Sequence, residues 1–165
     1  MEHPIENITW VEVDGLKAND YNPNVVFTKE MNLLKYSILK SGWIQPILVT
    51  QDLVIIDGFH RATLAKADKE VRELTDGLVP VVIMELTEAE RMLLTIRINR
   101  AKGSHIAIRM SEIVHSLIDV HGLSVKEICE SIGATKDEVD LLMMDNVFKA
   151  LNIAEHKYSK AWYPK

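Results

Sequence analysis

The sequence predicts an α+β protein, with a small mixed sheet carrying packed helices, followed by an all-α, helix-turn-helix-like segment. Three observations carry this. Short apolar runs of strand length, bounded by turn residues, occur only in the first hundred residues. Residues 107–145 show helical spacing and nothing else. Within the first hundred lies Val54-Ile55-Ile56-Asp57-Gly58-Phe59-His60-Arg61, an apolar run closed by Asp-Gly and followed by helical spacing at Ala62, Leu64, Ala65 and Ala67. That is a strand, a tight turn and a helix. The change of character near Gly103 sets the expected division, 1–103 and 104–165.

The elements follow in order. Residues 8–16 alternate around Trp10, Val11 and Val13 and close on Asp14-Gly15, a short strand and turn. Asn19 to Asn24 is a loop, because Pro23 forces Asn22 out of the helical region. A helix opens at Thr28 with Glu30 in its first turn; Met31, Leu34, Ile38 and Leu39 form its apolar face, Leu33 and Tyr36 lie beside it, and Gly42 ends it. Pro46 starts a strand through Thr50, and Gln51-Asp52 turns it into Leu53–Ile56 as a hairpin. A helix is expected over about 61–68, a charged loop over 68–77 and a strand over 79–84. Thr87 and Glu90 make a capping box for the next helix, with Met92, Leu93 and Ile96 on its apolar face. Three helices follow, ended by Gly122, capped by Ser124 and ended by Gly133, and capped by Thr135. Residues 146–165 read as a tail with aromatic anchors at Phe148, Tyr158, Trp162 and Tyr163.

Composition limits the function. At 165 residues, 47% hydrophobic and 26% charged, the chain has ordinary globular makeup. Its net charge of −5 argues against a large sequence-independent DNA surface, though not against a local basic groove. One cysteine, Cys129, leaves no internal disulfide and no cysteine metal cluster, and its place on the apolar side of a helix reads as core. No apolar run approaches the roughly 20 residues of a membrane span. Met1-Glu2-His3-Pro4 is not a signal sequence, so no membrane association and a cytoplasmic location are expected.

The turn at Asp57–Arg61 brings backbone N–H groups, the positive end of a helix and polar or cationic side chains to one point, which suits a phosphate or another small anion. Each residue also has a plainer reading. Gly58 serves any turn that needs positive φ or close backbone approach. Arg61 is a solvated first-turn residue or, since helices prefer acids there, a bidentate anion contact. His60 is a histidine bonded to a backbone group, a phosphate contact or a proton carrier. Asp57 is a turn-former, or a carboxylate that binds Mg²⁺ or accepts a substrate proton. Glu30 is a dipole-compensating acid or, less simply, a catalytic one. Arg97, Arg100 and Lys102 form a basic cluster extended by His105 and Arg109, either a solvated face or a contact for DNA or a partner.

The order of motifs in residues 8–103 resembles the ParB/sulfiredoxin superfamily. The matching stretches are Asn22-Pro23, Leu34–Ile38 with Gly42-Trp43-Ile44-Gln45-Pro46-Ile47-Leu48-Val49, Ile56-Asp57-Gly58-Phe59-His60-Arg61-Ala62, Val79-Pro80-Val81 and Ile98-Asn99-Arg100. The resemblance implies a nucleotide cleft built from Gly58, His60, Arg61, Ala62, Asn99 and Arg100. In ParB proteins that cleft holds cytidine triphosphate. Sulfiredoxins place a reactive cysteine where this chain has Phe59, so their chemistry is not expected here. Asp-Gly-x-His-Arg is similar to the superfamily's free-serine kinases. Asn99 to His105, with a short helical tail, looks most like the IbrB-type co-activators, which are linked with partners resembling phosphoadenosine-phosphosulfate reductases.

In residues 124–146 two lysines face six acids, net −4, which does not suit a DNA-reading helix. A packing or partner-binding module fits better, with DNA reached through Arg97, Lys102, His105 and Arg109. The expected function is therefore a nucleotide-binding regulator, holding CTP or ATP with Mg²⁺, whose ligand state controls association with DNA or a protein partner, with a homodimer as one arrangement. The alternative is an enzyme: a weak nucleoside triphosphatase or a kinase of a small hydroxyl substrate, with Asp57 as base or metal ligand.

Overall fold

The computed structural model describes residues 3–19, 28–101 and 107–144, leaving out the side chains of 28–30 and 107–109. They belong to two compact units that divide between Leu86 and Thr87. Asn22-Pro23, Lys102, His105 and the aromatic tail, and the side chains of Glu30 and Arg109, lie outside the described residues.

The first unit holds a four-stranded sheet: β1 (Ile8–Glu12), β2 (Ile47–Thr50), β3 (Ile55–Asp57) and β4 (Leu78–Met84), in the order β1-β4-β2-β3. β4 pairs antiparallel with β1 and parallel with β2, and β2 pairs antiparallel with β3. The sheet is mixed, as expected. Pro80 lies in a central strand, yet the β2 ladder starts only at Val81, so the missing N–H falls where β4 has one neighbour. The expected hairpin forms, with Leu53 at φ 61 and its N–H on the Thr50 carbonyl. Partial burial of the Leu53 side chain against the core offsets that conformation.

Helices α1 (Thr28–Ser41), α2 (Phe59–Ala67) and α3 (Lys69–Glu73) accompany the sheet. Ile38, Ala62, Leu64, Ala65 and Val71 join Ile47, Val49, Ile55, Val79 and Val81 in one core. Burying each large aliphatic side chain stabilises the unit by roughly 1.5–3 kcal/mol. Two expectations are corrected here. The charged stretch 68–77 is not all loop: Asp68 accepts from the N–H groups of Glu70 and Val71 and starts α3, which buries Val71 completely. On α1, Leu33 and Tyr36 are exposed and Leu39 is barely covered, so the buried stripe is narrower than the apolar content suggests.

The second unit consists, among the described residues, of α4 (Glu88–Ala101), α5 (Ala107–Asp119), α6 (Val125–Ile132) and α7 (Lys136–Met143). Val114, Leu117, Ile128 and Val139 are completely buried. α4, α6 and α7 each start with a reciprocal Ser/Thr–Glu box. Thr87 N–H donates to Glu90 at 2.8 Å, Ser124 N–H to Glu127 at 2.8 Å and Thr135 N–H to Glu138 at 2.9 Å. The glutamate N–H groups return to the hydroxyls at 3.2–3.3 Å. Gly122 and Gly133, both at positive φ, end α5 and α6. Cys129 is only half-buried, short of the core position expected. Among the described residues no helix is long and apolar enough to cross a membrane.

Candidate functional site

The buried pair Ile55 and Ile56 carries β3 to Asp57, and Gly58 turns the chain into α2. Gly58 has φ 97 and ψ 20, a conformation that residues with a Cβ rarely adopt. A Cβ would be crowded as well. It would lie 3.1 Å from Arg61 Nη2 and 3.3 Å from the Ile47 Cα. Gly58 is therefore fixed both by the turn and by the guanidinium lying against it.

Arg61 points inward. Its Nη1 donates to the carbonyls of Gln45 and Pro46, each at 2.7 Å, and its Nη2 lies 3.3 Å from Asp57 Oδ2. Its side chain is 11% exposed, so the guanidinium clasps the start of β2 to the end of β3. Burial pulls its pKa below the ordinary arginine value, and the Asp57 carboxylate pushes it back up. The same contact balances the Asp57 charge, which otherwise would repel an anion at this turn.

Gly58 has no side chain to cap α2, and the first turn of α2 contains no acid. The first helical bond runs from Ala62 N–H to the Gly58 carbonyl, so the N–H groups of Phe59, His60 and Arg61 lie ahead of it. His60 is exposed, Phe59 packs partly on the core, and Ala62 is buried with its N–H engaged. The turn thus presents a positive helix end and one exposed imidazole, backed by a buried guanidinium.

Asn99 and Arg100 belong to the helical unit. Asn99 is half-buried, and Arg100 Nη2 donates to the Gly133 carbonyl at 3.2 Å, with Glu138 Oε1 at 3.7 Å. Arg97 is exposed on the same helix. Among the described residues no group of three or more His, Cys, Asp or Glu side chains gathers as a metal site. A Mg²⁺ at Asp57 would therefore take most of its oxygen ligands from water and phosphate.

Three supporting contacts had no local signal in the sequence. The Gln45 and Pro46 carbonyls meet Arg61 across 15 or 16 residues. Asn19, read as a turn residue, is 7% exposed, and its Nδ2 donates to the Ile55 carbonyl at 2.8 Å. Lys66 Nζ donates to the Leu16 carbonyl at 2.8 Å, tying α2 to the segment before Asn19.

Comparison with known proteins adds a family. Residues 2–99 match the model of the ParB N-terminal domain. The Escherichia coli K12 uncharacterized protein YbdM is 39% identical over 168 residues, covering 99% of this chain and 79% of that protein. The chain spans about half the length of the probable chromosome-partitioning ParB proteins of Rickettsia that it matches, such as that of R. prowazekii at 25% identity over 150 residues. Among solved structures, a Pnob8-like ParB-N domain aligns with a TM-score of 0.62 and 14% identity, over 88% of this chain and 72% of that one. The truncated Caulobacter crescentus ParB, complexed to the centromeric parS site, aligns with a TM-score of 0.55 and 19% identity, over 87% and 77%. Both structural likenesses lie in the fold.

Proposed function

This chain belongs to the ParB N-terminal domain family, and from that premise we propose that it binds a nucleoside triphosphate at the Asp57–Arg61 turn. The nucleotide state then controls its association with DNA or with a protein partner. The observation that carries this reading is the start of α2. It has no side-chain cap, no first-turn acid and a glycine that admits close approach, with a buried arginine beneath it. An anion placed there meets the positive end of the helix, with the exposed His60 side chain on the same turn.

Within this reading Arg61 has two tasks. It adds positive potential beneath the phosphate, and it holds the turn in the shape that binds it. His60 is then the second probe of ligand contact, because its side chain is exposed and is not one of the acceptors that Arg61 holds. The DNA limb of the proposal draws on the partition relatives and on the parS complex of the Caulobacter protein. Lys126, Lys136, Glu127, Glu130, Asp137, Glu138 and Asp140 are all exposed, so α6 and α7 present more acid than base. DNA contact is assigned instead to Arg97, Lys102, His105 and Arg109.

The test is a thermal-shift and calorimetric titration with CTP, ATP, GTP and inorganic triphosphate, with and without Mg²⁺. A ligand at about 100 times its Kd stabilises by about 2.7 kcal/mol, which is readily seen. The expected result is a shift with one nucleotide that His60→Ala weakens, measured against the variant's own ligand-free melting temperature. No shift with any nucleotide would remove the proposal. Turnover of the bound nucleotide, followed as released phosphate with and without small hydroxyl compounds, separates a switch from a phosphotransferase.

A further inference from the structure

Two arginines of α4 have different surroundings. Arg97 is exposed, while the Arg100 side chain, about one turn on, is 24% exposed and meets groups of two other helices. Only Gly133, Ala134 and Thr135 separate α6 from α7. On one side of that turn lies the C-terminus of α6, where the last carbonyls have no partner within the helix. Arg100 Nη2 donates to the carbonyl of Gly133, the residue that ends α6, at 3.2 Å. On the other side lies the first turn of α7. There Glu138 divides its carboxylate: Oε2 accepts from the Thr135 N–H at 2.9 Å, and Oε1 lies 3.7 Å from Arg100 Nη2. Each charge also suits its helix end, a cation at the C-terminus of α6 and an acid at the N-terminus of α7. Glu90 and Glu127 close the same kind of box, but no cation of the described residues joins either of them.

We propose that Arg100 is a positioning residue: it pins the α6–α7 turn from both sides, and through it α4 sets the angle between those two helices. The surface that α6 and α7 offer a partner is then held in one shape from outside the pair. This assignment departs from the resemblance, which places Arg100 in a phosphate cleft. Its guanidinium is engaged by a carbonyl and a carboxylate, and the acid offsets the positive charge that a phosphate would seek. A connection of three residues has little length in which to absorb a shift, so releasing the turn loosens both helix ends. Ile128 and Ile132 of α6 and Val139 and Leu142 of α7 are buried, so the helices stay packed and their mutual angle is what the arginine controls. The pin needs no bound nucleotide, so it goes beyond the nucleotide reading and stands apart from it.

The test follows amide hydrogen exchange and glutamate carboxyl titration by NMR, on the full chain without ligand. Arg100→Ala should speed exchange at Glu138 and Val139, whose N–H groups bond to Thr135, by at least about fivefold, the loss expected for one hydrogen bond. Exchange in β4 should keep its wild-type rate. The pKa of Glu138 is lowered mainly by the Thr135 N–H and further by the Arg100 charge, so its carboxyl should titrate at higher pH in this variant, with Glu90 and Glu127 unmoved. Arg100→Lys keeps the charge and should restore that titration, but an ammonium lacks the fork that spans both acceptors, so exchange should stay faster than in wild type. Wild-type exchange at Glu138 and Val139 in Arg100→Ala overturns the proposal, and so does a Glu138 titration that does not move. Should Arg100→Ala fail to fold, Arg100→Lys decides, and wild-type exchange there overturns the pin. A phosphate role for Arg100 would appear instead as weaker nucleotide binding in Arg100→Ala with the turn exchanging at its wild-type rate.

Discussion

Four helices of this protein start in two different ways. α4, α6 and α7 close their first turn with a Ser or Thr and a Glu three residues on, each satisfying the other's backbone. α2 starts on Gly58, which caps nothing, and its first turn carries no acid. The closed starts are local devices for stability and sit in the helical unit. The open start sits where a buried arginine, a positive-φ glycine and two strands converge. What one helix lacks at its N-terminus is thus matched by what surrounds it, and an anion fits that arrangement better than it fits any of the closed ones.

The sharpest test of the difference lies at glycine. Gly133 also has positive φ, but nothing lies within 4 Å of where its Cβ would be. Gly133→Ala should therefore show the backbone penalty alone, about 1 kcal/mol. Gly58→Ala adds crowding against the Arg61 guanidinium and the Ile47 backbone, so its loss should be larger, about 2–4 kcal/mol by urea denaturation. Equal losses at the two sites would mean that the Gly58 turn is no tighter than an ordinary helix end. Next in size is Arg61. Arg61→Lys cannot bridge two carbonyls and a carboxylate at once, and should lower stability by roughly 1.5–3 kcal/mol in the absence of ligand. An unchanged midpoint would return Arg61 to one of the two roles its sequence position suggested, a solvated first-turn residue or a direct anion contact.

That last contrast marks what the sequence made legible. The capping residues were read directly, because both partners of each box lie within four residues. The strand–turn–helix at Asp57–Arg61 was legible for the same reason. The direction of Arg61 was not, because its acceptors are backbone carbonyls at Gln45 and Pro46, invisible as side-chain types. Asn19 is similar: turn chemistry explains an Asn in a loop, while its bond to the Ile55 carbonyl depends on the folded sheet. α3 escaped because five residues show no periodicity and four of them are charged; only Asp68 as cap and Val71 as anchor betray it. The mixed sheet was expected, but the central place of β4 follows from the parallel ladder with β2, which no local pattern encodes.

Removing a closed start should do less than damaging the open one. Thr135→Ala should destabilise by about 1 kcal/mol, since the Glu138 N–H loses its side-chain acceptor. It should leave nucleotide binding at the α2 turn unchanged. A loss of binding equal to that of His60→Ala would break the separation between the two kinds of helix start.

The smallest effect is in acid, and it has a definite sign. The Thr87 N–H lowers the pKa of Glu90, the Ser124 hydroxyl that of Glu127 and the Thr135 N–H that of Glu138. A carboxylate whose pKa is lower in the folded than in the unfolded chain binds fewer protons when folded. Its stabilising contribution is therefore complete above the ordinary glutamate value and is lost as pH falls through the lowered one. The wild-type urea midpoint should fall over that acid window. A variant with all three glutamates changed to glutamine should start lower at neutral pH and fall less steeply in acid. Asp14 and Asp68, lowered by Arg72 and Lys35 respectively, keep part of the slope in that variant. If the slope is identical in the two proteins, the boxes do not hold charged glutamates in solution, and the closed starts differ from α2 only in shape.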